Sequence, residues 1–248
     1  MQVKHKNTIK RVVDVGLTIT LLCLMAYQVT GEALHEWLGI GMTMLVIIHQ
    51  ILNFKWYGAL FKGKYHALRI LQTAVNVLLL LSFAITALCG MAMSGHAVPF
   101  LYGMLPVSFA SQFHLSLSHW AFALMGLHLG IHIPLMTAKL KGKKKNVLSS
   151  IFCVVGAAGL FFFLKNGLYN YLFFRVPFAF LDYEKPAALV FAENITILLF
   201  FAFIGMQAAE LCKRLKRKGN SKKSLLSVLL MIISIVIGSI LFATSGGS

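Results

Sequence analysis

Apolar runs of about twenty residues alternate with short polar stretches along almost the whole chain. Seven runs are legible, at roughly 12 to 30, 36 to 54, 68 to 91, 113 to 137, 147 to 164, 187 to 209 and 225 to 243. Each is close to the ~20 residues that an α-helix needs to cross the hydrocarbon core of a bilayer. The connections are "GEALH", "KWYGALFKGKYHALR", a Gly/Pro-containing stretch from Ala92 to Gln112, "KLKGKKKN", a longer one from Lys165 to Pro186, and "CKRLKRKGNSKKS". Most are short, which predicts antiparallel hairpins for sequential helices. The pattern therefore predicts an all-α integral membrane protein with about seven transmembrane helices.

Composition agrees with that pattern. The 248 residues are 58% hydrophobic and only 12% charged, with a mean hydropathy of +0.80; a soluble domain carries about 25% charge. A net charge of +16 raises the possibility of a nucleic-acid partner, and the positions of the charges exclude it. Lys4, Lys6, Lys10 and Arg11, then Lys55, Lys62, Lys64 and Arg69, then Lys139 to Lys145, then Lys213 to Lys223 fall in alternate connections, and only Lys165, Arg175 and Lys185 do not. Such alternation is the positive-inside pattern, which predicts a cytoplasmic N-terminus and an extracytoplasmic C-terminal "TSGGS". The basic residues then orient the protein and meet anionic lipid head groups. "KHKNTIKR" before an apolar run also resembles a signal peptide. Asp14 interrupts that run, however, and no small-x-small site follows, so the stretch is read as the first span.

Chemistry is concentrated in the histidines. "FHLSLSHWAFALMGLHLGIH", residues 113 to 132, holds His114, His119, His128 and His132, four of nine in the chain. Histidine inside a lipid-facing segment is costly enough to suggest function. In the second span His35 and His49 are fourteen residues apart, as are His114 and His128 in the fourth. On an α-helix that spacing is about 21 Å of rise and leaves the rings within about 40° of one face. Both spans run from outside to inside, so His35 is level with His114 near the outer surface and His49 with His128 nearer the cytoplasm.

Two facing His/His pairs stacked across a membrane fit bis-histidine ligation of two haem b groups. Each low-spin iron takes two neutral imidazoles on opposite sides of a flat macrocycle. Gly39, Gly41, Gly126 and Gly130 are small residues that would let a macrocycle approach. His132, about 6 Å beyond His128 along the helix, is a second candidate for the inner position, for hydrogen bonding to a propionate or for a quinone site. An internal repeat sharpens that alternative. Aligning "HEWLGIGMTMLVIIHQIL" with "SHWAFALMGLHLGIHIPL" at Trp37 and Trp120 sets His49 opposite His132, whereas helix phase sets it opposite His128. His119 points roughly 140° from His114 and suits a neighbouring polar role. His66 and His96 fall in connections and His5 in the N-terminal tail.

Other chemistries lack their signatures. Cys23, Cys89, Cys153 and Cys212 occur singly, with no C-x-x-C-H, which leaves covalent haem, zinc knuckles and a disulfide framework unsupported. "HEWLG" lacks the second histidine of H-E-x-x-H, and G-x-S-x-G, Walker and G-x-G-x-x-G motifs are absent. Asp14 and Glu193 fall at opposite ends of their helices, which is not the paired carboxylate of an ion-coupled pump. Trp37, Trp56 and Trp120 fall near the expected interfaces, where aromatic rings anchor.

"LHEWLGIGMTMLVIIHQILNFKWY" followed by "QFHLSLSHWAFALMGLHLGIH" resembles the flavinylation-associated cytochromes, bacterial membrane proteins with a four-helix haem b core. The resemblance covers about residues 10 to 140 and is carried by the H-E-W-L-G start and the H-x13-H-x3-H fourth span. "FAFLDYEKPA", residues 178 to 187, resembles the connection that follows the core in some relatives. The resemblance implies a four-helix di-haem region over 1–140 and a three-helix membrane region of unassigned role over 141–248. It also implies ligation by the positions of His35, His49, His114 and His128, and electron transfer to an extracytoplasmic protein that carries covalent FMN. Nothing in this chain resembles an FMN attachment site, so the flavin belongs to the partner.

The expected function is therefore transmembrane electron transfer in a bacterial cytoplasmic membrane, from quinol or a membrane reductase to an extracytoplasmic flavoprotein, with two haem b and a possible quinone site. The alternatives are a transporter or channel with histidines along a polar path, and a structural or sensory membrane protein whose histidines only hydrogen-bond.

Overall fold

A computed structural model describes residues 2–136 and 143–217 of the chain. Among the described residues every regular element is helical: α1 (Gln2–Met25), α2 (Tyr27–Leu52), α3 (Lys55–Leu60), α4 (Ala67–Met93), α5 (Val107–Met136), α6 (Lys143–Lys165), α7 (Leu168–Leu172) and α8 (Ala187–Arg217), with one 3₁₀ turn at Pro99–Leu101. The apolar run at 225 to 243 lies outside the described residues.

Among the described residues three helices are long and apolar enough to cross a membrane, with spans over Tyr27–Leu52, Ala67–Met93 and Ala187–Arg214. Their surfaces show why lipid suits them. On α4, Leu78, Leu81, Ile85 and Leu88 are exposed while Ser82 and Cys89 are buried, so aliphatic side chains face outward and small polar ones inward. The other helices are shortened or diluted by identifiable residues. Lys10, Arg11 and Asp14 put charge into α1, and four histidines offset the apolar residues of the 30-residue α5. Ser150–Lys165 of α6 is a shorter apolar stretch within the residues described in full.

The described residues fall into two compact units, the first comprising 2–63, 83–115 and 177–194, the second 64–82, 116–136, 143–176 and 195–217. In the first unit α1 and α2 form the antiparallel hairpin expected from their short connection. Its register is given by three contacts: a Cβ on Gly16 would meet Leu45, Asp14 meets His49 and Lys10 meets Asn53. The turn needs Gly31, whose φ of 69° and ψ of 174° interrupt the helical path at the start of α2; a side chain there would be strained. The same unit holds an ion pair between the half-buried Lys185 and the buried Glu193.

In the second unit α4, α5 and α8 bury Ala67, Leu71, Val75, Ile131, Ala208, Ala209 and Cys212 together. Glycine brings the backbones close. A Cβ on Gly130 would lie 2.0 Å from the Ala202 carbonyl oxygen, one on Gly205 2.4 Å from that of Leu127, and one on Gly159 of α6 2.0 Å from that of Thr196. This is the small-residue packing by which helices associate without a hydrophobic driving force. Gly126 and Gly130, expected to make room for a macrocycle, face the α8 backbone and Phe201 instead. Their spacing of four reads equally well for a flat ligand and for a helix, and here the occupant is a helix.

Candidate functional site

The first unit brings His35 and His114 together. Their ring centres are 6.0 Å apart with the planes at 70°. A metal bound by two opposed imidazoles at about 2.0 Å each separates the nitrogens by about 4 Å and the ring centres by roughly 6 Å. The two rings meet edge-to-face at a spacing that ring packing gives and that a shared metal ion would also accommodate.

What surrounds each ring sets its chemistry. Nδ1 of His114 donates to the Thr86 carbonyl at 2.9 Å, so the lone pair available to a metal is on Nε2. Gly90, one turn further along α4, lies against the same ring, with a built Cβ 3.0 Å from Cε1. His35 is flanked by Tyr27, edge-on at 5.0 Å, and its Nδ1 is buried with no hydrogen-bond partner. A buried polar atom left unmatched costs stability, and a metal or a polar group of a ligand would satisfy it. Thr86 Oγ1, on the residue that holds His114, is likewise buried and unmatched.

Glu36, next to His35, is an anchor rather than a ligand. Its carboxylate accepts from Ser94 Oγ at 2.7 Å and from the backbone N–H groups of Gly95, His96 and Ala97 at 3.0, 2.8 and 2.8 Å. Ser94 Oγ in turn accepts from the Val98 N–H. The start of α2 is tied in this way to the segment after α4, and the position of His35 is tied with it.

At the other end of the α1/α2 hairpin, His49 Nδ1 donates to the Asp14 carboxylate at 2.9 Å. Asn53 Nδ2 donates to the His49 carbonyl at 2.9 Å and lies 3.3 Å from Nε2, while its Oδ1 accepts from Lys10 at 2.7 Å. In the second unit His128 Nδ1 donates to Asn76 Oδ1 at 2.8 Å, and His132 is 4.9 Å from His128 between ring centres. His49, His114 and His128 therefore share one tautomer, with Nδ1–H held by an acceptor and the lone pair on Nε2. Metal-ligating histidines are held in this way, the second nitrogen fixing ring orientation.

Of the remaining candidates, His119 and Trp120 have packing roles. His119 stacks on Tyr171 at 4.6 Å, and Trp120 Nε1 and Ser116 Oγ both donate to the Leu172 carbonyl, so α5 carries the short α7 on three side chains. Trp37 is exposed. His96 is exposed in the segment that Glu36 holds, and His66 precedes α4. Gly39 and Gly41 face open space.

Asn76, Thr86 and Gly90 escaped the sequence reading. Asn76 carried a signal, a lone amide within "TAVNVLLLL", since polar residues inside spans mark functional positions. Thr86 carried none, because it acts through its backbone carbonyl. Comparison with family models, with curated proteins and with solved structures finds no match to this chain.

Proposed function

We propose that this chain is the electron-transfer subunit of a membrane oxidoreductase system, a b-type cytochrome with two bis-histidine haems. One haem is held by His35 and His114. On sequence spacing alone, the second is held by His49 and His128. In this reading α1, α5, α6 and the 225–243 run also cross the membrane, with the N-terminus cytoplasmic and the C-terminus outside. Electrons pass from quinol or a membrane reductase to an extracytoplasmic flavoprotein.

The observation that carries the reading is the His35–His114 pair, 6.0 Å between ring centres, with His114 locked in the tautomer that presents Nε2. Haem b, when bound, supplies a one-electron couple whose potential follows its ligands and their hydrogen bonds. The residues themselves orient the imidazoles: Thr86 fixes His114, Asp14 fixes His49 and Asn76 fixes His128.

The test is the visible spectrum and haem content of purified protein. Sharp α and β bands on reduction and two haems per chain are expected, with one haem lost in His35→Ala and in His114→Ala. A purified protein without those bands sinks the reading and favours a transporter with histidines along a polar path.

A further inference from the structure

Charge is sorted along the first unit. Lys10 of α1 meets Asn53 just past the end of α2, so Lys10, Arg11, Lys55 and Lys62 belong to the end of the hairpin far from His35. Carboxylates collect at the other end. Glu32 and Glu36 open α2, and both lie within electrostatic reach of the Tyr27 hydroxyl, as does Tyr183 from the segment before α8. Tyr183 is flanked by Asp182 and Glu184, and Glu32, Asp182 and Glu184 are all exposed. The cation of that segment, Lys185, is taken up by Glu193, and among the described residues no ion pair involves Glu32, Asp182 or Glu184. The surface there is left acidic.

It is also aromatic. Phe178, Phe180 and Tyr183 are 58, 68 and 70% exposed, too open to belong to the core of the unit. Their segment is nonetheless held in place. Asp182 Oδ1 accepts from the Glu184 N–H at 3.1 Å, and the Lys185–Glu193 pair fastens it to α8. Exposed apolar rings rimmed by charge mark interaction surfaces, and tyrosine is prominent among the residues that anchor them. A lipid interface also takes aromatic rings, but carboxylates on both sides of Tyr183 carry the sign that anionic head groups repel.

Building on the cytochrome reading, we propose that Glu32, Phe180, Asp182, Tyr183 and Glu184 form the docking surface for the redox partner, a protein that meets them with lysines and arginines around an apolar patch. Complementary charge of this kind steers encounter and fixes orientation. The position suits an electron-transfer contact. Tyr183 acts on Tyr27, and Tyr27 is edge-on to His35 with ring centres 5.0 Å apart, so a protein seated on Tyr183 is close to the His35–His114 pair.

Surface plasmon resonance on the purified full chain in nonionic detergent tests this, with cytochrome c, a small and strongly basic redox protein, as the probe. The chain as a whole carries +16 and repels such a probe, so binding requires a local acidic surface. Binding is expected at about 0.01 M salt, where charges act over about 30 Å, and should weaken about tenfold or more by about 0.1 M, where they act over about 10 Å. Asp182→Asn, which keeps an acceptor for the N–H of residue 184, combined with Glu184→Gln should weaken low-salt binding about tenfold, chiefly by slowing association. Tyr183→Ala should weaken it about fivefold through faster dissociation. Absence of binding at low salt, binding indifferent to salt, or binding that these variants leave unchanged overturns the proposal. So does quenching, in vesicles of brominated phosphatidylcholine, of the emission that Tyr183→Trp adds, because the segment would then be seated in lipid. Haem bands are recorded on the same protein: a chain that lacks them and still binds cytochrome c in this charge-dependent way overturns the cytochrome reading and keeps a docking surface for a basic protein.

Discussion

Gly90 touches the His114 imidazole so closely that a Cβ on the glycine would lie 3.0 Å from Cε1 and 3.1 Å from Nδ1. The Thr86 carbonyl that accepts from Nδ1 is one turn earlier on the same helix. Two positions of α4 therefore define where the ring stands, one by holding it and the other by leaving it room.

Gly90→Val should displace that ring. The branched side chain cannot share the space, and the imidazole loses either its place or its bond to Thr86. We expect haem content to fall from two per chain to one, with a milder loss in Gly90→Ala, while far-UV circular dichroism keeps its helical signal. Overpacking of this kind costs roughly 1–3 kcal/mol, less than is needed to unfold the helices. Retention of both haems with unchanged bands in Gly90→Val would show that α4 does not hold the ring.

His49, His114 and His128, which sequence spacing singled out, each make a polar contact through Nδ1, and hydropathy located α4 to within two residues at either end while missing the first nine residues of α2 and the last eight of α8. What periodicity could not supply is the partner across space. Thr86 precedes His114 by 28 residues and Asn76 precedes His128 by 52, and no local pattern encodes either meeting. Gly126 and Gly130 show the complementary failure. A pair of glycines four apart states that something comes close without stating what, and the closest approach is to Ala202 of α8. Trp120 reads as an interfacial anchor until the Leu172 carbonyl is found 2.9 Å from its indole N–H.

Glu36 should govern the segment after α4. Four donors converge on one carboxylate, and hydrogen bonds to a charged group contribute about 1.5–3 kcal/mol each. In Glu36→Ala the amides of Gly95, His96 and Ala97 are expected to exchange with deuterium at least tenfold faster than in wild type, while those in the middle of α4 keep their protection. Unchanged exchange at the three amides would mean that the segment is held by something else.

Two glycine substitutions should move stability in opposite directions. Gly130→Ala drives a methyl group into the Ala202 backbone carbonyl, and helices must separate to admit it, at a cost of roughly 1–3 kcal/mol. Gly39→Ala meets nothing within 4 Å and gains up to about 1 kcal/mol of helix propensity. Thermal unfolding in one detergent should rank the proteins Gly39→Ala, wild type, Gly130→Ala from most to least stable. A Gly130→Ala variant as stable as wild type would place Gly130 away from α8.

The last prediction separates His128 from His132. Helix phase favours His128, and its Nδ1–H is held by Asn76 Oδ1 at 2.8 Å, the support expected of a ligand; the register aligned on Trp37 and Trp120 favours His132. The two imidazoles are 4.9 Å apart between ring centres, so a substitution at either alters the surroundings of the other, and only the kind of change distinguishes them. His128→Ala should abolish the second low-spin haem. His132→Ala should retain it with a shifted potential. Asn76→Leu leaves a donor without its acceptor and frees the ring to rotate; loss of such a supporting partner typically weakens binding 10- to 100-fold, so haem titrated into apoprotein should bind that site correspondingly less tightly. If the second haem disappears only in His132→Ala, and Asn76→Leu binds haem as wild type does, then the tryptophan-aligned register is the right one and the Asn76 contact serves packing.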